Sequence, residues 1–291
     1  MSSRALLALS SALSLWLALA PPAAAQKMVG TPPDKFGENA SADYHSSQWF
    51  AFELKFSPYS PHIDSSPGLN GKTPFGDLFT SQFHHGTPPA QLLTQLEFDF
   101  QFFHKFGSIG AGLTAGYYRR TTHSFDFPAT GGSCAVPSCI RSGDETALNV
   151  IPLSLVAVYR FDVLALRYHV PLVPYFKIGL AYYFWAIQNG SGGIATVSVD
   201  GSGKPTMDAG APGFHKIDGS GGTWGWVLNP GVSFLLDAID PAAARTMDTE
   251  IGINHSYLFI ELHYADISGF GAANKMVLSD TTFNAGLAFE F

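Results

Sequence analysis

The chain has 291 residues, a net charge of −7, and 13% charged residues against 46% hydrophobic ones, where an ordinary soluble domain carries about 25% charged residues. With 30 Gly, 19 Pro and 24 Phe, the composition excludes a disordered chain, which needs high charge and few aromatics, and a helical bundle rich in Ala, Glu, Lys and Leu. The acidic balance and the lack of a basic run exclude a nucleic-acid partner.

Residues 1–25 read as a cleaved secretory signal peptide. Arg4 is the one charge before an apolar stretch at 5–20, and Pro21, Pro22, Ala23, Ala24 and Ala25 follow. A positive start, an apolar core and a small-residue site are what signal peptidase needs. Residues 26–46 then make a periplasmic amino-terminal segment, and 47–291 carry the fold. A membrane-crossing helix needs about 20 consecutive apolar residues. The longest run after the signal, 178–187, has ten.

From residue 49 onward the dominant period is two, the period of a strand with one apolar and one polar face. The first such stretch sets Phe50, Phe52, Leu54 and Phe56 against Glu53 and Lys55. The connection 57–91 is rich in Gly, Pro, Ser and His, and its adjacent His84 and His85 read as solvated residues rather than metal ligands. The second stretch is the sharpest. Leu92, Leu96, Phe98, Phe100 and Phe102 alternate with Gln95, Glu97, Asp99 and Gln101. A tight turn at 106–108 leads to a third, with Ile109, Ala111, Leu113, Ala115 and Tyr117 opposite Gly110, Gly112, Thr114 and Gly116.

The connection 119–146 holds Cys134 and Cys139. In an exported chain an even pair this close reads as one disulfide closing a small loop. The fourth stretch spans 151–161 and the fifth 176–185, joined through 162–174. After a Gly-rich connection at 188–222 the sixth runs over 224–234. In the connection 236–255, Asp240 suits an N-cap and Pro241 the first helical position, which predicts a short helix at 241–247. The seventh stretch covers 258–264 and the eighth 283–291, separated by 267–280.

Eight amphipathic stretches near the 9–11 residues of a tilted membrane strand, with long and short connections alternating, predict an all-β protein. The predicted fold is a closed, antiparallel, up-and-down transmembrane β-barrel of about eight strands. It has long extracellular loops and a short periplasmic helix. The final stretch, GLAFEF at 286–291, places Phe289 and Phe291 in phase. It resembles the recognition signal that outer-membrane proteins present to the barrel-assembly machinery. The whole of 47–291 resembles a small bacterial outer-membrane β-barrel. The segments FLLDAIDPAAAR at 234–245 and NHSY at 254–257 resemble an uncharacterised barrel family found in myxobacteria and relatives. That likeness implies a fold and a location in the cell outer membrane, and implies no activity or catalytic residues.

An eight-stranded barrel has an interior just wide enough for side chains to fill. The inward phase would carry Glu53, Lys55, Glu97, Asp99, Arg120, Arg160, Lys177, Glu261, His263 and Glu290, with Gln95, Gln101 and Tyr118. Charges of both signs in a low-dielectric tube must pair or stay hydrated, so these residues read as an internal salt-bridge network closing the lumen. Tyr117, Tyr118, Tyr182, Phe184, Trp185, Trp224, Trp226 and Tyr257 read as an aromatic girdle near the outward strand ends.

No catalytic, cofactor or metal site is expected. The glycines at 110, 112 and 116 lack dinucleotide spacing and a following helix. His255 and Ser256 beside Glu250 lack the nucleophile–base–carboxylate arrangement of a hydrolase. The expected role is structural or surface-recognising, carried by the extracellular loops. Partners would be outer-membrane lipids, the assembly machinery during biogenesis, and an extracellular ligand at the loops. A narrow diffusion channel and a lipid- or lipopolysaccharide-modifying enzyme are the alternatives. The enzyme would require a His, a Ser and a carboxylate converging near one membrane face, with His255, Ser256 and His263 the residues to test.

Overall fold

A sheet whose strands alternate apolar and polar residues can enclose one of its faces by curling into a closed barrel. The computed structural model describes residues 49–79, 88–104, 106–125, 141–168, 170–202, 206 and 208–291. The signal peptide, residues 26–46, His84, His85, Cys134 and Cys139 lie outside these described residues.

Eight strands form a closed antiparallel barrel. They are β1 (Phe50–Tyr59), β2 (Gln91–His104), β3 (Ser108–Phe125), β4 (Arg141–Arg160), β5 (Leu172–Gln188), β8 (Ser220–Leu235), β9 (His255–Asp266) and β10 (Asp280–Glu290). Each pairs with its neighbour in sequence order, and β10 returns to β1 with Leu54 opposite Leu287. Phe50 and Phe291 close the seam with a backbone pair, Phe291 N donating to Phe50 O at 2.9 Å. A short hairpin, β6 (Thr196–Val199) with β7 (His215–Asp218), stands in the β5–β8 connection.

The alternation puts apolar side chains outside. Leu92, Phe98, Leu113, Leu155, Leu180 and Phe283 all lie on the exterior, Leu92 59% and Phe98 49% exposed. Polar and charged residues fill the inside. Glu53, Lys55, Glu97, Asp99 and Lys177 are buried to 2% exposure or less. This is the reverse of a soluble sheet protein, and it matches the outward apolar band and polar interior of membrane barrels. No helix among the described residues is long and apolar enough to cross a membrane.

One barrel end, the turn end, carries the tight turn at Phe106 and Gly107, a short helix α2 (Val163–Tyr168), and α3 (Pro241–Ile251). Gly107 has φ +120°, and a Cβ there would collide with the Arg160 carbonyl oxygen. The turn therefore requires glycine. In α3 the Asp240 carboxylate accepts from the Ala242 and Ala243 amides at 3.1 and 3.0 Å. Pro241 starts the helix and Gly252, at φ +73°, stops it. The helix runs one turn beyond the predicted 241–247.

The other end, the loop end, departs most from the sequence reading. The predicted loop 119–146 is strand at both of its described ends, 119–125 and 141–146. β3 and β4 stay paired from Arg119 opposite Asn149 out to Phe125 opposite Arg141. Above the apolar band the outward residues Arg119, Thr121 and His123 are exposed and polar, so the period-two signal fades while ladder hydrogen bonds continue. The connection 57–91 also folds locally, into 3-10 turns and a short helix α1 (Pro74–Phe79). The Asp64 carboxylate accepts from the Phe75 and Gly76 amides at 2.8 and 2.7 Å.

Candidate functional site

Among the described residues, the lumen is where chemistry-bearing side chains converge from nearly every strand. Its half nearer the turn end is ionic. Lys55 on β1 donates to Glu97 Oε2 on β2 at 2.8 Å and to Glu261 Oε1 on β9 at 3.1 Å. Its ammonium also lies 3.2 Å from Glu53 Oε2. Lys177, crossing from β5, donates to Glu53 Oε2 at 2.6 Å and to Glu97 Oε1. Arg160 at the end of β4 binds Glu53 and Asp99 with one amino group, Asp99 Oδ2 lying at 3.0 Å. Its other amino group reaches Glu290 Oε1 at 3.3 Å.

Neutral donors occupy further lone pairs, while Asp99 Oδ1 has no hydrogen-bond partner among the described residues. Thr114 donates to Glu97 at 2.5 Å, Tyr175 to Glu261 at 3.0 Å, and Asn284 to Glu261 at 2.7 Å. Tyr257 donates to Glu290 at 2.8 Å and Gln101 to Glu290 at 3.1 Å. Among the described residues, five carboxylates thus share three cations, and buried charges of this kind persist only when every partner is in place. Room for Asp99 comes from Gly112 on β3, where a Cβ would collide with Asp99 Oδ1.

The structure therefore brings together eight of the predicted lumen residues: Glu53, Lys55, Glu97, Asp99, Arg160, Lys177, Glu261 and Glu290. It places two apart from the ion pairs. His263 is buried, with Nδ1 2.9 Å from Asn229 Oδ1 on β8. Arg120 sits at the loop end. It donates to Pro89 O at 2.5 Å and to Phe79 O at 3.4 Å, over the rings of Phe75 and Phe79. Arg141 Nη1 and Thr122 Oγ1 both donate to Leu78 O, at 2.9 and 2.8 Å. Cationic and hydroxyl donors thus serve the last carbonyls of α1, where a helix has orphan acceptors.

The lumen's loop-end half is apolar and aromatic, which the sequence reading does not foresee. Tyr59, Tyr118 and Tyr183 are fully buried and meet edge-on. The Tyr59 ring centroid lies 4.9 Å from Tyr118 and 6.5 Å from Tyr183. Leu93, Val150, Ile267 and Leu278 pack around them, and Ile63 and Phe75 from the 57–91 connection cover the top. The Tyr59 hydroxyl donates to Leu278 O at 2.8 Å. Tyr118, expected both in the inward phase and in the girdle, lies inside in this plug, and Tyr257, expected in the girdle, lies inside in the ionic layer. Tyr257 occupies the inward phase of β9, which is the signal that could have placed it.

Carboxylate oxygens of Glu53, Glu97 and Asp99 lie within 4.8 Å of one another. The Lys177 ammonium stands among them, 2.6 Å from Glu53 and 3.9 Å from Asp99, where a metal ion would otherwise be coordinated. At the turn end, His255 Nδ1 lies 2.6 Å from Asp237 Oδ2. Its sequence neighbour Ser256 faces the other side of β9, because successive strand residues point oppositely. Ser256 lines the exterior with Leu287 and Phe289, so no serine–histidine pair forms there. In the connection after β4, burial and the nearby Glu290 push the Asp162 carboxyl above the usual carboxylate range.

No protein-family model matches the chain, and no curated protein matches it. Among solved structures it is similar to Ail, the attachment invasion locus protein of Yersinia pestis, in complex with the heparin analogue sucrose octasulfate. That match has 9% identity and a TM-score of 0.36, and covers 84% of this chain and 97% of Ail. The outer membrane protein OprG from Pseudomonas aeruginosa matches with 12% identity and a TM-score of 0.42, over 85% of this chain and 97% of OprG. A major outer membrane protein from Thermus thermophilus matches with 13% identity and a TM-score of 0.38, over 84% of this chain and all of that one.

Proposed function

We propose that the chain is an integral outer-membrane β-barrel with a sealed lumen, acting as a structural or surface-recognising protein through its loop end. Two features support the membrane assignment: a closed sheet with no free edge, and an outward band of Leu, Ile and Phe around a charged interior. In hydrocarbon only a closed barrel or a helix satisfies its backbone polar groups. The turn end faces the periplasm in this reading and the loop end faces out. Barrels of this class carry short turns on the periplasmic side and longer loops outside. The likeness of 234–245 and 254–257 to a myxobacterial-type family fits the same location.

The observation that carries the sealed-lumen reading is the double filling of the tube, by the ion network below and the tyrosine plug above. A pore needs a continuous wet path, and the side chains that would line one are engaged with each other. With transport disfavoured, the loop end is what remains to act. It offers the β6–β7 hairpin, whose cross-strand pair Val197 and Ile217 stands half exposed.

The test is planar-bilayer recording of the refolded protein, beside heat-modifiable gel migration as the folding control. Folded protein is expected to be electrically silent. Reproducible open steps would replace this reading with a diffusion channel. A chain that stays soluble and β-rich without lipid would overturn the membrane assignment itself.

A further inference from the structure

At the turn end, the connection 236–254 turns back along the barrel's outer wall instead of covering its mouth. Leu236, Ile239, Ala243 and Met247 face Leu287 and Phe289 of β10 across a crevice of about 330 Å³. That volume is at the lower end of the ~300–1,000 Å³ typical of small-molecule pockets. Leu287 and Phe289 belong to the outward apolar face of β10, so the crevice is continuous with the band read above as lipid-facing. Ile239, in its lining, is 70% exposed, and Ile251 at the end of α3 is 61% exposed. Large aliphatic side chains on such a helix are favoured where an amphipathic segment lies in a membrane interface.

The crevice rim is acidic. Asp237 and Asp240 both line it, Asp237 paired with His255 and Asp240 capping α3. Within α3, Asp248 and Glu250 outnumber the one basic residue, Arg245. Such a rim disfavours an anionic headgroup and suits an ammonium group.

We propose that this crevice seats one acyl chain of a phospholipid bearing an ammonium headgroup, in the leaflet at the turn end. The chain enters sideways from the hydrocarbon between α3 and β10, and the ammonium lies near the Asp240 carboxylate. The inference rests on the membrane reading given above.

The test is native mass spectrometry of the full folded chain released from bilayer discs containing equal phosphatidylethanolamine and phosphatidylglycerol. One phosphatidylethanolamine is expected to survive activation that strips the remaining lipid. Ala243→Trp, which fills the crevice, should lose that adduct. Ala242→Trp, on the same helix but away from the crevice, should keep it. Heat-modifiable migration shows that each variant is folded. Loss of all adducts from folded wild type would overturn the proposal, as would equal retention by Ala243→Trp or equal retention of phosphatidylglycerol. Failure of wild type to fold into lipid at all would instead strike the membrane reading beneath it.

Discussion

Lys177 reaches from β5 across the lumen to carboxylates on β1 and β2, and it is completely buried. Its ammonium separates Glu53, Glu97 and Asp99, which would otherwise face one another in a space water barely enters. Removing one partner of a buried ionic network leaves an uncompensated charge and typically costs about 3–5 kcal/mol. Lys177→Met keeps the stem and removes the charge, so it should lower stability by about that amount. Urea unfolding in lipid vesicles, followed by tryptophan fluorescence, measures it. Adding Glu97→Gln removes a facing negative charge and should recover part of the loss. A single variant as stable as wild type would mean that Lys177 fills space without holding the network.

At the scale of elements, the loop end is a structure in its own right. Arg120, Arg141 and Thr122 rise from β3 and β4 to hold the last carbonyls of α1. Arg120→Ala removes a guanidinium that bonds two backbone carbonyls and lies over two rings. The 57–91 connection should then be cut faster by added protease, while the barrel still migrates as a folded species. Unchanged cleavage would show that Arg141 and Thr122 suffice. None of this clamp is legible in the sequence. Arg120 falls on the inward phase and so groups with the lumen charges, because alternation assigns a face and not a height along the barrel. The eight strands are legible for the opposite reason: within the apolar band every second residue must be apolar. Beyond the band that demand lapses, and residues 119–125 and 141–146 read as loop although their backbones stay paired. The same blindness to height hides the division of the lumen. Glu53 and Tyr59 share a phase on β1, and only the closed register shows one in the ionic layer and the other in the plug.

Taken whole, the barrel is closed twice over, and the two closures lie in series along one tube. Conduction through a tube is limited by its tightest segment, so opening either closure alone should leave the protein silent. Tyr59→Ala with Tyr118→Ala and Tyr183→Ala clears the plug but leaves the network of Lys55, Arg160 and Lys177 intact below it. Glu97→Ser with Lys177→Ser removes one anion and one cation, so the net charge left in the lumen is unchanged, and the tyrosines still block the tube above. Each set is expected to give folded, non-conducting protein in planar bilayers, and the two combined should give small open steps. Each buried aromatic removed costs about 3–5 kcal/mol, so heat-modifiable migration must accompany every recording. Tyr183→Ala combined with the serine pair provides a milder version. Open steps from the tyrosine variants alone would mean that the ion network passes ions, and the plug would then be the gate. Silence in the folded combined variant would mean that the remaining side chains collapse into the space, as they do where a core relaxes around a cavity.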